Sequence, residues 1–166
     1  WSCYQLGKMY NELGEKEKAW FYFFKSYEFD NTRQEAFFEI IKQCRETNKF
    51  ETGYNLYNML KPIYERDKPH KLFILNDIYE HSLYSEMLII LYYLQKFDEA
   101  NKILKKLLMA NITNPVYINM TNYNIKYFIP HIDKNDWEFY GKFQRYSKKF
   151  FVPEDLKKEV DKLFIE

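Results

Sequence analysis

Leu6-Gly7-Lys8-Met9-Tyr10, followed by Gly14, Ala19, Phe23 and Ser26, is the stretch whose spacing decides the fold. Leu6, Gly7 and Tyr10 share one side of a helix, because residues three and four apart are neighbours on its surface. Gly14 ends that helix, as glycine does at a C-cap where the backbone turns left-handed. Ala19, Phe23 and Ser26 repeat the three-to-four spacing on a second helix. Gly7 and Ala19 lack bulk, so the two backbones approach closely where they cross, and Tyr10 and Phe23 fill the space beside them. The stretch predicts a hairpin of two antiparallel helices, 1–13 and 15–29.

The pattern recurs. Leu6 plus 34 is Ile40, and 34 residues is the period of the tetratricopeptide (TPR) repeat, whose skeleton the opening stretch resembles. Asn31 stands where that family prefers proline. The second repeat reads Phe37, Ile40, Ile41, Cys44, Gly53, Tyr57 and Leu60, and the third reads Tyr84, Met87, Leu88, Leu91, Phe97, Ala100, Leu104 and Leu107. The small crossing residue is present each time, as Ala19, Gly53 and Ala100. Gly7 becomes Ile41 and then Leu88, so the later repeats are degenerate. The spacing breaks once: Phe37 to Tyr84 is 84 − 37 = 47 residues, 13 more than 34, and the surplus lies in 61–80. The resemblance implies an all-α fold, a TPR-like helical-hairpin solenoid of about three repeats (1–32, 33–80 with the insertion 61–80, and 81–113). A capping helix (114–129) and an extension of two helices (130–166) complete it.

The remaining elements follow from local signals. A third helix is expected over 33–47, capped by Asn31 or Thr32 with Glu35 in its first turn. A fourth runs from Phe50 to near Pro62, since proline removes a helix hydrogen bond. Helices over 83–94 and 97–110 form the third pair. Asn114-Pro115 opens the capping helix, which ends before Pro130. After the linker 133–136, Phe139, Phe143, Tyr146 and Phe150 mark an eighth helix. Pro153-Glu154-Asp155 opens a ninth, with Leu156, Val160, Leu163 and Phe164 on its apolar face. Within the insertion, Pro62 and Pro69 flank the charged patch Glu65-Arg66-Asp67-Lys68, and the apolar run Leu72-Phe73-Ile74-Leu75 is expected to pack down. Arg33, Glu35 and Glu86 are candidates for a buried polar network.

The 166 residues are 46% hydrophobic and 20% aromatic, enough for one domain with its own core. A net charge of +1 creates no field that would draw the chain to nucleic acid or a membrane. No apolar run approaches the ~20 residues of a bilayer span. Cys3 and Cys44 read as small buried hydrophobes with no disulfide between them, which suits a reducing, cytoplasmic or otherwise intracellular setting. The chain opens at Trp1, inside a repeat's first helix, and is expected to be a piece of a longer polypeptide.

Chemistry-bearing patterns are sparse. His70, His81 and His131 with two distant cysteines have no metal-ligand spacing and read as surface or loop histidines. There is no phosphate loop, nucleophile elbow or paired-carboxylate signature. Asp133-Lys134-Asn135-Asp136 reads as a polar linker. Lys142, Arg145, Lys148 and Lys149 interleave with aromatics, but the helical stripe accounts for the rings as core and the cations as a solvated face. No catalytic, cofactor-binding or metal residue is assigned, and no cofactor is expected. The first helices of the repeats would line a concave groove carrying Tyr4, Lys8, Asn11, Phe38, Lys42, Arg45, Ser85 and Ile89. Lys8, Lys42 and Arg45 would there meet an acidic peptide or a carboxylate. The carboxylate clamp of chaperone-binding TPRs is absent: its places hold Tyr4, Lys8, Glu39, Ser82 and Glu86. So is the asparagine ladder of O-GlcNAc transferases, whose places hold Gln5, Glu39 and Glu86.

A narrower resemblance rests on Arg33-x-Glu35-Ala36-Phe37-Phe38-Glu39-Ile40 and Leu72-Phe73-Ile74, then Tyr79, Leu83, Glu86 and Tyr92-Tyr93-Leu94-x-Lys96-Phe97-x-Glu99-Ala100. This subtype is similar to the segment that follows the catalytic domain in family 2 glycosyltransferases of bacteria and giant viruses. Met120-Thr121-Asn122-Tyr123-Asn124 looks like the closing helix of that segment. The likeness covers 1–129 and includes no transferase catalytic residue. It implies a non-catalytic scaffold module of a larger glycosyltransferase-like protein, positioning the acceptor or a partner. The alternative is a free-standing adaptor that binds a protein segment in its groove. The partners these readings imply are a protein or peptide, a covalently linked glycosyltransferase domain, or a second copy of the chain.

Overall fold

The computed structural model describes residues 1–60 and 71–165 in full and the backbone of 61–64. Among the described residues the chain is all-α, with nine α-helices and no strand. Three pairs come first: α1 (Ser2–Glu12) with α2 (Lys16–Phe29), α3 (Glu35–Glu46) with α4 (Phe50–Tyr64), and α5 (Leu83–Tyr93) with α6 (Phe97–Met109). Then follow α7 (Pro115–Phe128), α8 (Trp137–Lys149) and α9 (Glu154–Ile165). Links this short within each pair hold its helices as antiparallel neighbours.

The three links share one geometry. Gly14, Asn48 and Gln95 adopt φ of 79°, 56° and 56°. In each, the next residue's N–H reaches back to a helix carbonyl: Glu15 to Tyr10 at 2.9 Å, Lys49 to Cys44 at 2.8 Å and Lys96 to Leu91 at 2.9 Å. Their spacings, 48 − 14 = 34 and 95 − 48 = 47, are those of the repeating sequence pattern. The crossings are tight. A Cβ on Gly7 would meet the Phe23 ring at 2.6 Å, and one on Gly53 would meet Ile90 Cδ1 at 2.9 Å and Cys44 Cβ at 3.1 Å. Ala19 and Ala100 are fully buried.

α2 covers α3 with aromatic edges. Phe24 and Tyr27 meet the Phe37 ring at 5.8 and 4.6 Å, and the Trp20 indole donates to Gln43 Oε1 at 2.7 Å. α5 is the centre: Leu83, Met87, Leu88, Ile90 and Leu91 are all buried, as in a helix with neighbours on most sides. It packs on α3, α4, α6 and α7.

Several expectations needed correction. The N-cap of α3 is Gln34, with no side-chain cap; Thr32 instead donates to Asp30, and the Gln34 N–H donates to the Tyr79 hydroxyl at 3.0 Å. α4 continues through Pro62 to Tyr64, because a proline in the last turn removes only one hydrogen bond. The run 72–75 does not pack down by burial, since Leu72 is 79% and Phe73 65% exposed. It is held by its backbone. Arg33 donates to the Leu72 carbonyl at 3.1 Å and the Phe73 carbonyl at 2.8 Å, while Glu35 accepts from Arg33 and from the Tyr79 hydroxyl. Phe73 also stacks on Trp1 at 5.6 Å. Glu86 is not in this network; it pairs with Arg45. Cys44 is buried but Cys3 is only half-buried. The patch 65–68, Pro69 and His70 lie outside the described residues.

A π-helical turn, Ile78–Ser82, leads into α5. α8 and α9 fold back. Asp136 caps α8 at the Phe139 N–H and accepts from Asn101 and Lys105 of α6. The Tyr146 hydroxyl donates to the Ile118 carbonyl of α7 at 3.2 Å. Phe139, Phe143 and Tyr146 are buried, as their spacing predicts.

Candidate functional site

A groove of about 590 Å³ opens between α5 and α7. α7 creates it by having two faces. Asn114 caps the helix, accepting from the Val116 N–H at 3.0 Å, with Pro115 in the first turn. Thr121, Asn122, Ile125 and Phe128 then turn inward and are buried. On the opposite side, at the same helical spacing, stand Val116, Met120, Tyr123 and Tyr127, with Asn119 and Asn124 between them. Tyr123 remains 62% exposed and Tyr127 46%. α5 supplies the facing wall: Ile89, Tyr92 and Tyr93, over Ser85 and Glu86. Tyr92 meets Tyr127 edge-on at 6.1 Å, and the Tyr123 and Tyr127 hydroxyls bond at 2.8 Å.

The floor is neutral and fixed. Arg45 Nε donates to Glu86 Oε2 at 2.6 Å and Nη2 to Oε1 at 3.2 Å, a two-point pair across α3 and α5. The buried His81 ring, in the turn before α5, joins that turn to Ser85 of α5 and Thr121 of α7. Thr121 donates to the Tyr117 carbonyl at 2.9 Å, so its oxygen accepts from His81 Nε2–H at 3.0 Å. His81 Nδ1 then accepts from the Ser85 hydroxyl at 3.2 Å, which assigns the neutral Nε2–H tautomer. Burial pushes the His81 pKa down to about 4. His81 is thus a core group, not the surface or loop histidine its lone position suggested; His131 is exposed and stacks on Phe97 at 3.7 Å.

The eight groove residues read from the sequence are scattered. Ser85 and Ile89 line the groove, although Ser85 is buried in its floor. Arg45 is held by Glu86. Tyr4 is buried, its hydroxyl donating to Glu39 Oε1 at 3.3 Å, and burial raises its pKa. Lys8 lies 6.0 Å from the Tyr4 ring, and Asn11 accepts from Lys16. Phe38 and Lys42 are half-buried on α3. What the sequence reading missed is α7's outer row, whose signal is a second apolar face 180° from the first.

The described residues hold no cluster of three His, Cys, Asp or Glu side chains able to take a metal. Asp136 of the acidic linker is committed to the α8 cap and to Lys105, and Lys142 pairs with Glu138. No described helix is long and apolar enough to cross a membrane. No family model matches the chain, and neither the curated proteins nor the solved structures contain a match.

Proposed function

We propose that the chain is a non-catalytic scaffold module, a TPR-like solenoid whose α5–α7 groove holds a segment of a protein partner. The observation that carries this reading is the second face of α7, which leaves Val116, Met120, Tyr123 and Tyr127 facing solvent across from Tyr92 and Tyr93. Tyrosines supply large amphipathic contact area at low side-chain entropy cost. Asn119 and Asn124 offer paired donors and acceptors to a partner's main chain. Because Arg45 neutralises Glu86, the groove suits an uncharged segment better than the acidic peptide that Lys42 and Arg45 suggested. The solenoid part of the reading is supported by the three equivalent turns at Gly14, Asn48 and Gln95.

The module's place in a glycosyltransferase-like protein is supported by the sequence resemblance alone. In that setting it positions an acceptor or partner for a catalytic domain on the same polypeptide; a free-standing adaptor would use the same groove. The intact mass of the protein from its source separates the two, since only the former requires a mass well above 20.6 kDa. The groove is tested with a photo-crosslinking phenylalanine analogue at Tyr123, and at the more exposed Phe151 as control. The crosslinked segment is then synthesised and titrated. Tyr123→Ala with Tyr127→Ala should weaken it at least tenfold. Equal crosslinking at both sites would remove the groove from consideration.

A further inference from the structure

Gln43 keeps a hydrogen-bond donor that the chain does not use, beside an opening. Its side chain is buried on α3, and its Oε1 accepts from the Trp20 indole at 2.7 Å. An indole N–H only donates, so the amide atom facing it is the oxygen, and Nε2 is the other end. Nε2 is buried and has no hydrogen-bond partner among the described residues. Buried amide groups are nearly always paired, because an unused donor has given up water for nothing. Gln43 also lines an opening of about 400 Å³, with Lys16, Glu17 and Trp20 of α2, and with Thr47 and Lys49 of the link between α3 and α4. It shares no lining residue with the α5–α7 groove. The repeat supplies an internal comparison. At the next interface, between α4 and α5, Phe50 stands in the place of Lys16, Ile90 in that of Gln43 and Leu94 in that of Thr47. There Phe50 stacks on Tyr93 at 4.5 Å, Ile90 is fully buried beside Gly53, and Leu94 packs on the core. The second interface closes with apolar side chains where the first keeps an amide, two ammonium groups and a carboxylate.

We infer that this opening binds a small organic monocarboxylate with a flat apolar body. One carboxylate oxygen accepts from Gln43 Nε2–H, Lys16 and Lys49 balance the charge, and the body lies against the half-buried Trp20 ring. Each group narrows the ligand. The Nε2 donor requires an acceptor. The two ammonium groups favour an anion: Lys49 has no ion pair among the described residues, and Lys16 uses one of its three donors on Asn11 Oδ1 at 2.6 Å. Glu17 limits that anion's charge. Its carboxylate offsets one lysine, so a singly charged ligand leaves the site neutral and a phosphate polyanion does not. Trp20 supplies a flat apolar surface, and its bond to Gln43 holds the ring in place before the ligand arrives. The Thr47 hydroxyl donates to the Gln43 carbonyl at 2.8 Å and fixes the end of α3 rather than the ligand. The volume lies at the small end of the range for small-molecule sites, which excludes a bulky ligand.

Titration of the intact chain with benzoate tests this, followed by the nuclear magnetic resonance signals of the Gln43 side-chain amide and the Trp20 indole N–H. Both signals should shift and saturate together. Benzamide, which keeps the ring and lacks the charge, should bind about tenfold more weakly, and so should inorganic phosphate. Lys49→Glu, at an exposed position, should weaken benzoate binding about tenfold. Lys158→Glu, the same charge change at an exposed position of α9, should leave it unaltered. Gln43→Glu keeps an oxygen for Trp20 and removes the donor, so benzoate binding should be lost. A melting curve checks that this variant folds, and Lys49→Glu carries the test if it does not. Signals that never shift would mean that water alone serves the Gln43 donor, and would overturn the proposal. Equal binding of benzamide or phosphate, or equal weakening by Lys158→Glu, overturns it as well.

Discussion

Gly7 and Gly141 are both helical glycines, yet their surroundings give substitutions of opposite sign. A methyl at Gly7 runs into the fully buried Phe23 ring, whereas a methyl at Gly141 meets nothing within 4 Å. Gly7→Ala should therefore destabilise the fold by about 1–2 kcal/mol after the helix-propensity gain is deducted. Gly141→Ala should stabilise it by ~0.5–1 kcal/mol, both read from urea unfolding. His81 gives a pH signature. Its folded pKa of about 4 lies below the unfolded 6.5, so between those values the unfolded chain binds more protons than the folded one. Stability from this group is thus complete above pH 6.5 and declines as pH falls toward 4, by on the order of 2 kcal/mol. His81→Asn should lower stability at neutral pH and flatten that slope; an unchanged slope would mean that His81 is not its source. Gly7 was legible because its partners lie within one short hairpin. His81 was not: its partners Ser85 and Thr121 come from two helices, and a single histidine has no local pattern.

At the level of elements, most helix positions were legible because caps and apolar spacing are local. Asn114-Pro115 and Gly14 mark ends that the structure keeps. The segment 71–75 was not legible, since it is fastened some 40 residues away by Arg33, which donates to backbone carbonyls, and by Glu35, which accepts from the Leu75 N–H, and backbone groups carry no sequence signal. Arg33→Gln should loosen that strap. Limited trypsin digestion should then cut after Lys71 at least tenfold faster, with helix content unchanged. Protected Lys71 in the variant would mean that the Lys71–Asp30 pair at 2.7 Å suffices alone. The repeated turns carry a second prediction. Gln95 occupies a left-handed conformation that costs a residue with a side chain about 1 kcal/mol. Gln95→Gly should raise the melting temperature, and Asn48→Gly should do so less, because asparagine tolerates that region better. The groove lay half in view: the two faces of α7 can be counted in its sequence, but which one meets α5 depends on the whole packing.

The whole molecule has one continuous core, from Tyr4 in α1 to Phe164 in α9. Such continuity predicts one cooperative transition rather than separate unfolding of the last two helices. Trp137→Phe leaves Trp1 and Trp20 to report on the first two helix pairs. Their fluorescence midpoint should coincide with the far-ultraviolet circular dichroism midpoint. A gap between the two curves would divide the chain into independent units.

The π-helical turn at Ile78–Ser82 sets His81 and everything after it one residue out of step with an uninterrupted α-helix. Removing one residue there would restore a smooth helix and swing the imidazole about 100° around the axis, away from Thr121. The reading frame of the gene would survive that loss, while the joint between α5 and α7 would not.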